Sequence, residues 1–150
     1  MKKIKHSFLR SSNWLLAGIL GIFGFTNTSC KMEYGTPERD YVIKGKVMDS
    51  ETKKPVKGIK VETYRCYGAI DTTDIQGSFL LKIWEEGSVD KIGTKFSDID
   101  GIENGLYPSD TIIDIDMKDA KRTKPKSGNW YQGEFTKTVE IELPKILENE

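Results

Sequence analysis

Ile59-Lys60-Val61-Glu62-Thr63-Tyr64 decides the fold class of this 150-residue chain. Ile59, Val61 and Thr63 fall on one side of an extended segment and Lys60, Glu62 and Tyr64 on the other, the period of two that marks a strand with one wet face. The pattern returns at the far end, where Val139, Ile141 and Leu143 alternate with Thr138, Glu140 and Glu142. Between these, short apolar segments are broken by Gly, Pro, Asp and Asn, and no stretch sustains a 3.6-residue period. Strands are predicted at residues 41–48, 59–67, 78–84, 89–96, 111–117 and 137–143, with a short segment near 69–72. About seven strands at this spacing predict an all-β protein, an antiparallel two-sheet sandwich. The punctuation agrees: residues 49–54 read as a polar turn, Pro55 as a return to extended chain, and Asp74-Ile75-Gln76-Gly77 and Glu85-Glu86-Gly87-Ser88 as turns.

Composition narrows the function classes. At 37% hydrophobic and 31% charged residues the chain reads as globular, neither disordered nor fibrous. Lys and Arg balance Asp and Glu at 23 each, but Lys2, Lys3, Lys5 and Arg10 all lie in residues 1–29, which hold no acid. The remainder carries a net charge of −4, a poor match for nucleic acid. His6, the single histidine, also lies in that leader, so residues 30–150 offer no imidazole for a triad, a zinc site or proton shuttling.

The leader has its own logic. A basic start is followed by the uncharged run WLLAGILGIFGF at residues 14–25, too short for the ~20 apolar residues of a spanning helix and closed by Thr26-Asn27-Thr28-Ser29. This predicts a signal peptide over residues 1–29. Cys30 then follows small residues at the end of the apolar run, which resembles the lipobox of bacterial lipoproteins; Thr28 and Ser29 fit that pattern and Asn27 stands where an aliphatic residue is usual. The resemblance implies that Cys30 is acylated, that cleavage makes it the first residue, and that residues 30–40 tether the protein to a lipid bilayer. An ordinary secretory leader, with Cys30 incidental or bonded to Cys66, is the alternative. Lys31 stands where Asp marks inner-membrane retention in that family, which implies the outer membrane.

Three blocks carry a second resemblance. Gly45-Lys46-Val47-Met48-Asp49, Pro55-Val56-Lys57-Gly58-Ile59-Lys60-Val61 and Thr73-Asp74-Ile75-Gln76-Gly77-Ser78-Phe79 occur in the order found in the carboxypeptidase regulatory-like domain. The match covers residues 41–83 and implies a transthyretin-like or Ig-like sandwich, here over residues 41–145. Val47, Ile59, Val61 and Phe79 would face the core, Pro55 and Gly58 would shape the first hairpin, and Gly77 would close the second turn. Such domains are non-catalytic and space or present other parts of exported proteins. The whole chain, with Cys30 near Tyr34-Gly35-Thr36-Pro37 and the later Phe96-Ser97-Asp98-Ile99-Asp100-Gly101, also resembles the small Bacteroidetes lipoproteins called radical-SAM-associated. That name implies a radical-SAM enzyme as a genomic neighbour and candidate partner.

Several stretches could carry chemistry. Residues 90–119 hold eight acids against three lysines. Within them Asp98, Asp100, Asn104 and Asp110 are the candidate calcium ligands, because Ca²⁺ takes six to eight oxygens and a D-x-D-G loop can turn carboxylates inward. The EF-hand spacing is absent, and turn formation by Asp, Asn and Gly accounts for the same residues. Asp114 and Asp116 alternate with Ile113, Ile115 and Met117 and read as a solvated face. No nucleophile elbow, phosphate loop or Cys/His metal spacing occurs, so no catalytic residue and no other cofactor is expected. The basic run KDAKRTKPK at residues 118–126 reads as a solvated connection. Trp130 and Tyr131, between glycines, read either as a ligand-stacking platform or as a plug at the end of the sandwich. The expected function is a non-catalytic, lipid-anchored envelope protein acting in binding or presentation. The alternatives are a substrate modified by a radical-SAM enzyme and a structural spacer.

Overall fold

The computed structural model describes residues 35–64 and 68–146, so the expected signal peptide at 1–29, Cys30 and Cys66 lie outside the described residues. Among the described residues, eight strands are divided between two sheets: β1 (Glu38–Asp49), β2 (Ile59–Tyr64), β3 (Ile70–Thr72), β4 (Ser78–Glu86), β5 (Lys91–Asp98), β6 (Thr111–Asp116), β7 (Lys121–Lys124) and β8 (Tyr131–Leu143). One sheet has the order β4-β1-β8-β7 and the other β3-β2-β5-β6. The only helical turn among the described residues is a 3-10 turn at Gly101–Glu103, and no helix there is long and apolar enough to cross a membrane.

The alternating pattern becomes burial as expected. Ile43 and Val47 of β1, Leu81 of β4, Ile59 and Val61 of β2, and Ile92 and Phe96 of β5 are all at most 1% exposed. Each such side chain contributes ~1.5–3 kcal/mol by leaving water, and together they form one layer between the sheets. Val47, Ile59, Val61 and Phe79 do face the core. Asp114 and Asp116 are exposed on β6, opposite the buried Ile115.

The strands depart from expectation in detail. The expected all-β two-sheet sandwich is there and its pairings are antiparallel, save that β1 and β8, the first and last described strands, pair in parallel from Glu38↔Tyr131 to Asp49↔Leu143. Pro55 and Gly58 do not shape a hairpin: β1 and β2 lie in different sheets, so the connection crosses the sandwich, with Pro55 bridged to Met48 and Gly58 at φ 80°. β1 begins at Glu38, inside the span expected to be tether, because Tyr131 and Glu86 flank that residue on both sides. The run at 118–126 contains β7, whose four residues are all exposed and so carry no burial signal in sequence; β8 supplies its ladder. β5 also runs to Asp98, two residues beyond the expected strand.

Two glycines are demanded by close approach. Gly45 lies under the Phe79 ring, where a Cβ would stand 1.9 Å from the ring carbon Cζ. Gly77, at φ 72°, lets the 74–77 turn pass within 2.4 Å of the Val47 carbonyl when measured from its would-be Cβ.

Candidate functional site

The acid-rich loop between β5 and β6 is built by backbone capping. Asp98 Oδ1 accepts from the N–H groups of Asp100 (3.2 Å) and Gly101 (3.0 Å), and Oδ2 accepts from Tyr107 N–H (2.9 Å). Asp100 Oδ2 accepts from the Asn104 amide, and the Asp100 carboxylate lies over Gly58, where a Cβ would come within 1.9 Å of Oδ2. Asp110 faces elsewhere, toward Lys95 Nζ at 2.7 Å. The four calcium candidates are thus engaged by N–H groups, an amide and an ammonium. No group of three or more His, Cys, Asp or Glu side chains among the described residues is arranged to hold a metal ion.

The same loop delivers a residue that sequence reading passed over. Tyr107 is buried, and its hydroxyl donates to Asp49 Oδ2 at 3.0 Å. Asp49, 4% exposed, accepts on Oδ1 from Glu51 N–H, Thr52 N–H and the Thr52 hydroxyl at 3.1, 2.7 and 2.9 Å. These donors, Thr52 N–H foremost, hold the Asp49 carboxyl down at about 2 against the cost of burial. Burial and then the Asp49 bond push the Tyr107 phenol up to about 12. The pair fastens the β5–β6 loop to the end of β1. Asp49 ends the first motif block, but nothing in the sequence pairs it with a tyrosine 58 positions away.

Trp130 and Tyr131 clasp the start of β1. Trp130 Nε1–H donates to Glu38 Oε1 at 2.9 Å, Glu38 N–H donates to the Trp130 carbonyl at 2.9 Å, and the indole lies against Gly35. Tyr131 opens β8, and its hydroxyl donates to Asp40 Oδ2 at 2.7 Å, a bond that leads in pushing the phenol up to about 12. Both polar handles are thus spent inside the fold. Trp130→Ala is expected to lower stability by ~1–3 kcal/mol through lost apolar contact and the lost Glu38 bond, read as a lower melting temperature. An unchanged melting temperature would remove the clasp and leave the stacking platform.

What remains open lies on the solvent face of the β4-β1-β8-β7 sheet. A groove of about 680 Å³ crosses it, bounded by Lys44 and Lys46 of β1, Ser78 and Leu80 of β4, and Thr138 and Glu140 of β8. The register sets Leu80, Lys44 and Thr138 in one cross-strand row and Ser78, Lys46 and Glu140 in the next. Asp71 and Asp74 close one end, but their carboxylates already accept from Leu80 N–H (2.7 Å) and Ser78 N–H (2.9 Å). On the other sheet's outer face, Lys60, Glu62, Lys95 and Asp110 form a continuous chain of ion pairs at 2.7–3.3 Å.

The shifted groups share a direction. Among the described residues, the carboxyls of Asp49, Glu62, Asp110, Asp119 and Glu134 are held below their ordinary range by N–H, hydroxyl or ammonium partners. The Lys95 and Lys124 ammoniums and the Tyr107 and Tyr131 phenols are pushed above theirs, the lysines by hydrogen-bonded carboxylates. All of these move away from neutrality. General acid–base chemistry asks for the opposite, a group tuned toward the working pH.

No family model matches the chain, and no curated protein matches it. Among solved structures it is similar to the dioxygenase domain of a dioxygenase carbohydrate-binding protein fusion from Streptomyces sp. SirexAA-E, at 12% identity and a TM-score of 0.43, covering 75% of this chain and 84% of that one.

Proposed function

We propose that this protein is a non-catalytic lipoprotein of the cell envelope, held at the outer membrane through an acylated Cys30, whose β-sandwich works by binding or presentation. The observation that carries the reading is geometric, the open groove on the solvent face of the β4-β1-β8-β7 sheet. Asp49, Tyr107 and Tyr131 spend their polar atoms on holding segments together. The open groove on the first sheet supports contact with a partner across a surface. The anchor rests on the leader and on Cys30, placed directly after Thr28 and Ser29. A single acyl chain holds a membrane weakly, so stable anchoring draws on the multiple chains that a lipoprotein cysteine carries.

The test is fractionation of cells making the native protein and Cys30→Ala. The native chain is expected in the membrane fraction at the processed size, and the variant as soluble or unprocessed protein. Cys30→Ala recovered from membranes at the processed size overturns the anchor. Intact mass of the native protein tests the reading further: acylation alone accounts for the expected value, and any added mass within the domain would favour a substrate of the radical-SAM enzyme.

A further inference from the structure

β8 is longer on one side than its neighbours can cover. β1 accompanies it through Leu143, but β7 pairs only with Glu134, Phe135 and Thr136. Beyond Thr136 the side of β8 away from β1 has no strand beside it among the described residues. Which backbone groups face that side follows from strand geometry, since the N–H and C=O of one residue point the same way and alternate along the chain. The Leu143 carbonyl accepts from Ser50 N–H at 3.0 Å, so Leu143 and, two by two, Ile141 and Val139 address β1. Thr138, Glu140 and Glu142 therefore direct their amides and carbonyls outward, where no described residue bonds them.

The side chains say what could lie there. Thr138, Glu140 and Glu142 are exposed on the outer face, while Val139 is half-buried and Ile141 buried on the core face. Glu140 makes no ion pair among the described residues, and Glu142 meets Lys53 at 2.7 Å with both groups about half exposed, a pair that solvent weakens. The groove ends on Thr138, Val139 and Glu140, so the space beside this edge is open. A second copy of the chain would bring its own Glu140 and Glu142 into the same ladder, where like charges repel. Three of the other edges are blunted: β4 has Leu80 N–H capped by Asp71, β3 has three residues, and β7 carries Lys121, Arg122 and Lys124.

We propose that the β8 edge from Thr138 to Glu142 is a strand-docking site for an extended segment of another protein, apolar at alternate positions and carrying Lys or Arg between them. Backbone bonds to Thr138, Glu140 and Glu142 supply the docking; Val139 and Ile141 meet the apolar side chains and Glu140 the cation. The inference rests on the binding-module reading and names the partner of that module.

Residue-resolved amide exchange by NMR on the full chain tests it, with an acetylated heptapeptide of alternating valine and lysine as the probe. In the free protein the amides of Thr138, Glu140 and Glu142 are expected to exchange at least ~100-fold faster than those of Val139 and Ile141. The peptide should slow the first three by at least ~10-fold, and the same peptide N-methylated at alternate residues should not. Glu140→Lys should weaken the lysine peptide by ~10-fold and favour a glutamate version. Protection of the three amides in the free protein, binding that survives N-methylation, or protection on β6 in place of β8 would each overturn the site. Protection that grows with protein concentration alone would reassign the edge to a second copy. Because Cys30 fractionation is unaffected by these outcomes, loss of peptide binding in a membrane-anchored protein removes the docking site and leaves the anchor standing.

Discussion

Gly45→Ala is expected to lower stability by ~2–4 kcal/mol, because the added methyl overlaps the Phe79 ring and one of them must leave. The ring cannot swing away cheaply: Phe79 is 4% exposed and packs edge-on against the fully buried Phe96, with centroids 5.9 Å apart at 76°. Nor can the strand retreat, because Gly45 is laddered to Phe79 on one side and Val139 on the other. For a domain of this size each kcal/mol moves the melting temperature by roughly 4–8 °C, so the loss is easily read by calorimetry. The cause is tested by the double variant Gly45→Ala with Phe79→Leu, whose smaller side chain frees the space. Its cost should fall well below the sum of the two singles; simple additivity would show that the ring is not what excludes the methyl.

Asp49→Ala should cost ~2–4 kcal/mol, since it strips the partner from three donors in the 49–52 turn and from the buried Tyr107 hydroxyl at once. Tyr107→Phe, which removes one bond and leaves the turn capped, should cost about 1 kcal/mol. The pair also predicts a pH dependence of stability. The Asp49 carboxyl is lowered from its ordinary 3.8 to about 2 on folding, so its contribution is full above pH 4 and is lost as pH falls toward 2. The Tyr107 phenol is raised from 10.0 to about 12, so its contribution is full below pH 10 and is lost as pH rises toward 12. Urea unfolding of Asp49→Asn between pH 5 and 2 should show a shallower decline than the native chain; an equal decline would assign the acid sensitivity to other carboxylates.

The strands that carry alternating apolar residues were legible because burial writes itself into a period of two, as in Ile59, Val61 and Leu143, each at most 1% exposed. β7 had no such mark. Lys121, Arg122, Thr123 and Lys124 are all exposed, and the strand exists because β8 offers it a ladder. The acid-rich loop shows the converse. Asp98, Asp100 and Asn104 were visible as a group, but their partners are backbone N–H groups, each other and the Gly58 turn, which only the fold brings within reach.

The division follows from distance along the chain. Local pattern was sufficient for the all-β class, for most of the core and for the turns at Gly77 and Gly87, both at positive φ, because these depend on residues a few positions apart. Tertiary structure alone decided the parallel pairing of β1 with β8, the Asp49–Tyr107 bond, the clasp of Trp130 and Tyr131 on β1 and the uncovered edge of β8. Each of these joins groups from well-separated segments of chain, and their partnership is set by which strands become neighbours, a choice that no period within one segment encodes.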